Sequence, residues 1–188
     1  MNLPNKLTLL RVILVPFFVF FMLTDFIAGS KIIALAIFAA ASITDALDGH
    51  IARSRNLVTV FGKFLDPLAD KVLVVSALIC LNSLGKIGAV PVIIVVAREF
   101  MVSGLRLVTA NEGVVVAAGI WGKLKTAFTM VAIVVIMFGM CLGFGDGSNG
   151  AMVLNIINQV LIWVATALTV ISGGVYLKGY WKYIDSSK

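Results

Sequence analysis

The sequence predicts an all-α membrane protein in which six helices each cross the bilayer. Of its 188 residues, 61% are hydrophobic and only 13% are charged, whereas soluble domains carry about 25% charged residues. A soluble core of this size could not bury so much apolar surface, so the solvent has to be lipid. Short polar links separate six apolar runs, and the length suits one domain over residues 1–188.

Each apolar run is close to the length of about 20 residues that a bilayer-spanning helix needs. The helices are predicted over residues 7–23, 31–53, 62–81, 88–109, 121–142 and 151–177. We expect Asn5 or Thr8 to cap the first helix, and neighbouring helices to tolerate Pro16 inside it. No small-residue cleavage site follows the N-terminus, so we expect that segment to be retained.

Basic residues are distributed unevenly between the two sides that six spans define. Both termini, the second link and the fourth link fall on one side. That side, with the helix ends next to it, holds all but two of the 15 lysines and arginines; Lys31 and Lys86 are on the other. The positive-inside rule places the richer side, and so both termini, in the cytoplasm. We expect a bacterial cytoplasmic membrane.

The net charge of +6 suits anionic lipid headgroups, and no motif for nucleic acid is present.

One polar stretch, residues 45–70, interrupts the apolar sequence. Carboxylates at membrane depth are costly, so they usually face a cavity and carry function. Residues three or four apart share a helix face, which places two stripes on the second and third helices. The first stripe holds Asp45, Asp48, Gly49, Ala52 and Arg53, and the second holds Gly62, Asp66 and Asp70. A short link would bring the stripes, and their four carboxylates, together.

Four like charges in one place need counter-charge. Hard divalent cations with oxygen ligands supply it, and Mg²⁺ binds through a few carboxylates together with substrate phosphates. Two such ions could clamp both oxygens of a phosphoryl displacement. Gly49 and Ala52 leave room for a ligand, and Arg53 offers a planar fork for phosphate. The other interpretations are solvated helix caps, a transporter cation site, and a structural ion-pair network.

The pattern D-x2-D-G-x2-A-R-x8-G-x3-D-x3-D over residues 45–70 resembles the signature of the CDP-alcohol phosphatidyltransferases. These integral membrane enzymes have six transmembrane helices and displace CMP from a CDP-linked lipid with an alcohol. The resemblance implies a homodimer with two Mg²⁺ or Mn²⁺ ions. It implies metal ligands at Asp45, Asp48, Asp66 and Asp70, with Asp70 also the base that deprotonates the alcohol. It implies a CDP-lipid site at Gly49, Ala52, Arg53 and Gly62.

Further stretches resemble the phosphatidylglycerophosphate synthase branch of that family, whose acceptor is glycerol 3-phosphate. They are residues 2–11, 97–100, 104–106 and 122–126. Cations close to the membrane need an anionic partner, and the acceptor phosphate would provide one, although snorkelling to lipid headgroups is the alternative. The expected phosphate-binding residues are Arg98, Arg106, Lys123 and Lys125, with Asn5, Thr8 and Arg11 closing the same pocket. Glu99 is expected to pair with one of these cations, and the last third resembles only generic helix.

Other functions remain open at this point. A CMP-forming cardiolipin synthase would use phosphatidylglycerol as the acceptor, and an inositol phosphate is a third acceptor. A divalent-cation transporter would place its polar groups near mid-membrane, often with repeats and broken helices, whereas these carboxylates fall at predicted helix ends. A non-catalytic membrane scaffold would not need the carboxylates at all.

Overall fold

The chain folds into six α-helices over the part that the computed structural model describes: residues 3–54, 60–111, 119–144 and 147–181. Side chains are described within 5–45, 68–110, 119–144 and 147–181. The helices are α1 (Leu3–Leu23), α2 (Ser30–Ser54), α3 (Val60–Ser83), α4 (Ala89–Asn111), α5 (Ile120–Cys141) and α6 (Asn149–Tyr180). All six predicted helices are present, with ends within a few residues of those expected.

Three of the described helices, α1, α5 and α6, are long and apolar enough to cross a membrane. The helices α2, α3 and α4 are of similar length, but they carry charged residues such as Asp45, Asp70 and Arg98. The charged helices are therefore those that carry the candidate site.

The start of α1 corrects one expectation. The helix begins at Leu3, so Asn5 and Thr8 lie inside its first turns and do not cap it. Pro4 does not prevent this early start, because proline is tolerated in the first turn of a helix. Asn5, Thr8 and Arg11 are all buried, and their spacing of three residues places them along one side of α1.

The main core joins α1, α2 and α3 to α5, with further buried side chains from α4 and α6. Phe18 and Phe38 are fully buried, with ring centroids 5.7 Å apart. Ala34 and Ala41, also fully buried, lie one turn before and after Phe38, where small side chains let helices approach closely. A second, smaller cluster contains Val102, Leu105 and Tyr176 and joins α4 to α6. The last helix therefore packs on α4 as well as on α5.

The turn after α3 is a Schellman motif. The N–H of Gly85 bonds the carbonyl of Asn82 and the N–H of Lys86 bonds the carbonyl of Leu81, both at 2.9 Å, which is the paired pattern of that motif. Gly85 has a φ of 66°, a left-handed conformation that glycine adopts without steric cost. This turn fixes the end of the bundle opposite Asp45.

Candidate active site

A buried arginine on α1 holds the first carboxylate of the predicted cluster. Arg11 Nη1 lies 2.6 Å from Asp45 Oδ1 on α2, and the Arg11 side chain is fully buried while that of Asp45 is 38% exposed. Removing one partner of a buried ion pair leaves an uncompensated charge, so this contact constrains how α1 packs on α2. Arg11 therefore lies beside the carboxylates of the polar stretch.

Asp70 on α3 belongs to the same electrostatic neighbourhood. It is half-buried and interacts with the charges of Asp45, Arg11, Glu99 and Lys125. Asp45 and Asp70, the first and last carboxylates of the polar stretch, are therefore close enough to interact electrostatically, while α1 packs against both α2 and α3. Asp70 also links these carboxylates to the basic residues of α4 and α5.

The remaining residues predicted for the metal and CDP-lipid sites are Asp48, Gly49, Ala52, Arg53, Gly62 and Asp66. Their backbones lie in α2 and α3, but their side chains are outside the described residues. Among the side chains that are described, no three of Asp, Glu, His or Cys form a metal-sized group. Asp45 and Asp70 fit the donor chemistry of a Mg²⁺ or Mn²⁺ site, because both ions prefer oxygen ligands.

A cavity of about 570 Å³ opens beside Asp70, between α3, α4, α5 and α6. This volume is within the range of sites that bind small molecules. Four cations, Lys71, Arg98, Arg106 and Lys123, line the cavity together with the carboxylates Asp70 and Glu99. Three of these cations were predicted to bind the acceptor phosphate; Lys71 was not. Asn5, Thr8 and Arg11 do not line this cavity.

The fourth predicted cation, Lys125, is committed to another side chain. Its ammonium donates to Glu99 Oε1, and its side chain is only 4% exposed. Glu99 Oε1 also accepts from Arg98 Nη1 at 3.0 Å, so Glu99 pairs with two of the predicted cations and not with one. Lys125 lines a small cavity of about 30 Å³ that Asp70 also borders.

Arg98 is held by two helices and keeps one donor unused. Its Nη2 donates to Ser172 Oγ on α6, and its buried Nε has no hydrogen-bond acceptor among the described residues. A methyl group at Gly173 would lie 3.2 Å from Arg98 Cγ, so glycine leaves the space in which the arginine passes. An unpaired buried donor beside a cavity is where an anionic ligand would bind.

Tyr176 on α6 organises both arginines of the cavity. The guanidinium carbons of Arg98 and Arg106 lie 5.4 and 5.7 Å from its ring centroid, within the range of cation–π contacts. Its hydroxyl accepts from Arg106 Nη2 at 3.3 Å and from the N–H of Gly119 at 3.1 Å. The sequence reading of α6 as generic helix missed this residue. The sequence pattern that points to it is a pair of polar residues, Ser172 and Tyr176, one turn apart in an otherwise apolar helix.

Lys71 is the other site residue that sequence reasoning did not assign to the ligand. Its ammonium donates to Ser103 Oγ on α4, and that hydroxyl donates to the carbonyl of Glu99 at 2.6 Å. The signal available in the sequence was its position next to Asp70. In the structure it lies at the wall of the cavity. The contact with Ser103 ties α3 to α4 beside Asp70.

The chain is similar to known proteins over most of its length. The family model described as CDP-alcohol phosphatidyltransferase matches residues 1–171. A Bacillus subtilis protein named CDP-diacylglycerol–glycerol-3-phosphate 3-phosphatidyltransferase is 42% identical, over 99% of this chain and 98% of its own. A Rickettsia felis protein of the same name is 38% identical over 97% of both chains. A Mycobacterium tuberculosis protein named probable phosphatidylglycerophosphate synthase is 40% identical, over 94% of this chain and 80% of its own.

Proposed function

Because the chain belongs to the CDP-alcohol phosphatidyltransferase family, we propose that it transfers the phosphatidyl group of CDP-diacylglycerol to glycerol 3-phosphate. The products are phosphatidylglycerophosphate and CMP, so the reaction is a step of phospholipid biosynthesis. Among the structural observations, the cavity beside Asp70 supports this acceptor most directly, because four cations share its wall with one candidate base. Glycerol 3-phosphate has a group for each of these: a phosphate for the cations and a hydroxyl for the base.

The cavity suggests how the acceptor is oriented. The phosphate of glycerol 3-phosphate binds at Arg98 and Arg106, where the unpaired Nε of Arg98 gains an acceptor and the guanidinium planes suit phosphate geometry. Lys123, exposed at the same wall, adds a cation that attracts the acceptor. The hydroxyl end then points towards Asp70, and Lys125 stays paired with Glu99.

Asp70 acts as the general base in this proposal. The attacking hydroxyl gives its proton to the Asp70 carboxylate, since an alcohol is a poor nucleophile until the proton is removed. The hydroxyl oxygen forms a bond to the lipid-side phosphorus, and the bond between that phosphorus and the CMP oxygen breaks. The phosphatidyl group is thereby moved to the acceptor, and CMP leaves.

Two Mg²⁺ or Mn²⁺ ions complete the proposed site. Asp45, Asp48, Asp66 and Asp70 are the proposed ligands, and the ions would stabilise charge on the diphosphate and on departing CMP. Gly49, Ala52, Arg53 and Gly62 are proposed to contact the cytidine diphosphate. Arg11 positions Asp45 within this group through their ion pair.

The same proposal includes the membrane arrangement. All six helices cross the cytoplasmic membrane, with the chain as one domain, both termini in the cytoplasm and the site at the cytoplasmic ends of α2 and α3. Support comes from the three apolar helices among the described residues and from the uneven distribution of lysine and arginine. A homodimer is proposed from the family resemblance alone.

An acceptor screen with purified protein tests the function. CDP-diacylglycerol is supplied with glycerol 3-phosphate, phosphatidylglycerol or an inositol phosphate, and CMP release is measured with Mg²⁺ and after its removal by chelation. We expect release only with glycerol 3-phosphate and only with the metal. Release with phosphatidylglycerol instead would identify a cardiolipin synthase. Metal flux into proteoliposomes without CMP release would identify a transporter.

A further inference from the structure

A second large cavity lies at the end of the bundle opposite the candidate active site. Its volume is about 590 Å³, and its walls come from the α1–α2 link, the α3–α4 link, the end of α5 and the start of α6. Along α2, Lys31 at this cavity is about 21 Å from Asp45, at 1.5 Å per residue. The proposed reaction uses none of the residues that line it.

A buried polar atom at this cavity has no partner in the part of the chain that the structure describes. Asn158 on α6 is 5% exposed and lines the cavity, and its Oδ1 has no hydrogen-bond donor among the described residues. Buried side-chain oxygens are almost always hydrogen-bonded, and leaving one unpaired is costly. A ligand with a hydroxyl group would supply the missing donor.

The cavity also contains a lysine that no described carboxylate neutralises. Lys86 is half-buried and lines the cavity, and no carboxylate among the described residues forms an ion pair with it. Lys31 at the same cavity differs, because its ammonium contacts Asp25 at 2.8 Å and the Met22 carbonyl at 2.7 Å. Lys86 is thus the cation available to an anionic group, and the turn after α3 fixes its backbone.

Exposed apolar side chains lie at the ends of the helices that form this cavity. Phe144 lines it and is 50% exposed, and Leu142, Met152 and Val153 at the same helix ends are also exposed. Exposed apolar groups beside a polar recess suit a ligand whose polar head enters the recess while its chains stay in lipid. An anionic group for Lys86, a hydroxyl for Asn158 and apolar chains together describe a phospholipid.

We propose that this cavity binds the headgroup of an anionic phospholipid that carries a free hydroxyl, taken from the leaflet opposite the active site. The phosphodiester contacts Lys86, and a headgroup hydroxyl donates to Asn158 Oδ1. The identity of the leaflet follows from the proposed topology, whereas the recognition chemistry does not depend on the proposed reaction.

Lipid binding to delipidated full-length protein tests the proposal, measured by native mass spectrometry or by thermal shift in detergent. The probes are dioleoyl phosphatidylglycerol, dioleoyl phosphatidylmethanol, which keeps the charge but lacks the hydroxyl, and dioleoyl phosphatidylcholine. We expect phosphatidylglycerol to bind most tightly. Lys86→Gln should weaken both anionic lipids by about tenfold, in line with loss of a charged hydrogen bond. Asn158→Leu should remove only the preference for phosphatidylglycerol over phosphatidylmethanol.

The control is Lys178→Gln, an exposed lysine in the last turn of α6, which should leave all three affinities unchanged. Equal binding of phosphatidylglycerol to wild type and Lys86→Gln would overturn the proposal, even if Asn158→Leu failed to fold. Competition by inorganic phosphate as strong as by lipid would also overturn it, since the ligand would then be a free anion. CMP release, measured separately, reports on the proposed reaction and not on this site.

Discussion

Arg11 Nη1 on α1 lies 2.6 Å from Asp45 Oδ1 on α2, with the arginine side chain fully buried. Asp45 is also the first residue of the carboxylate pattern from which a metal site was predicted. The protein therefore provides an internal cation at the place where a divalent ion is expected to add further positive charge. The contact joins the packing of α1 to the electrostatics of the site, and it can be tested through stability.

Replacing Arg11 with Met should lower the free energy of unfolding by about 1–3 kcal/mol, because hydrogen bonds to charged groups contribute about that much. Added Mg²⁺ should recover part of this loss, since the ion replaces the missing positive charge near Asp45. Thermal unfolding in detergent, with and without Mg²⁺, measures both effects. Lys6→Met, an exposed change on the same helix, is the control. Unfolding that matches wild type would show that the ion pair contributes nothing.

Replacing Asp70 with Asn should lower the rate of CMP release by about 10²–10⁴-fold, the usual contribution of a general base. The fold should persist, because Asn preserves the size of the side chain. The matched control is Asp25→Asn, since Asp25 is exposed on the α1–α2 link. Turnover near the wild-type rate in the Asp70 variant would exclude Asp70 as the base.

The pair Glu99–Lys125 should show strong coupling in a double-mutant cycle. Lys125→Met alone removes one of the two cations that contact Glu99, from a side chain that is 4% exposed. The cost should fall below about 3–5 kcal/mol, the usual cost of leaving a buried charge without any partner, because Arg98 still pairs with Glu99. Adding Glu99→Gln should restore part of that loss, because no carboxylate then faces the apolar side chain at position 125. Chemical unfolding in detergent gives the coupling free energy. Additive losses would mean that the two side chains act independently.

Tyr176 should affect the acceptor more than the CDP-lipid. Tyr176→Phe keeps the ring under Arg98 and Arg106 but removes the hydroxyl that accepts from Arg106 and Gly119, so the KM for glycerol 3-phosphate should rise. Tyr176→Ala removes the ring as well, and the rise should be larger by about two- to fivefold, from a cation–π contribution of about 0.5–1 kcal/mol.

Steady-state kinetics with each substrate varied in turn separates these effects, and Trp181→Phe, a change at an exposed aromatic residue nearby, is the control. A rise in the KM for CDP-diacylglycerol alone would contradict the position proposed for the acceptor.

Local patterns predicted most of the fold and part of the site. The six helices followed from apolar runs of bilayer length, and their observed ends differ from the expected ones by a few residues. The start of α1 was the exception, because the first turns are polar while Asn5 and Thr8 are buried there by packing. Asp45 and Asp70 interact electrostatically, but α1, which packs on both α2 and α3, has a part in this that helical spacing did not specify.

Contacts between distant helices could not be predicted in the same way. Arg98, Arg106 and Lys123 were expected near the acceptor from their charge, but the sequence does not specify that Glu99 pairs with Lys125 or that Ser172 bonds Arg98. Such partners depend on the rotation of each helix about its axis, and the apolar sequence of α6 constrains that rotation weakly. Tyr176 was missed for this reason.

The return of α6 to α4 has a consequence for the integrity of the cavity. Ser172 and Tyr176, close to the end of the last helix, contact Arg98 and Arg106 of the fourth helix. A chain truncated before α6 would keep the carboxylates of α2 and α3, but its Arg98 and Arg106 would lack these contacts. The cationic wall of the cavity therefore depends on a helix that carries no cation of that wall.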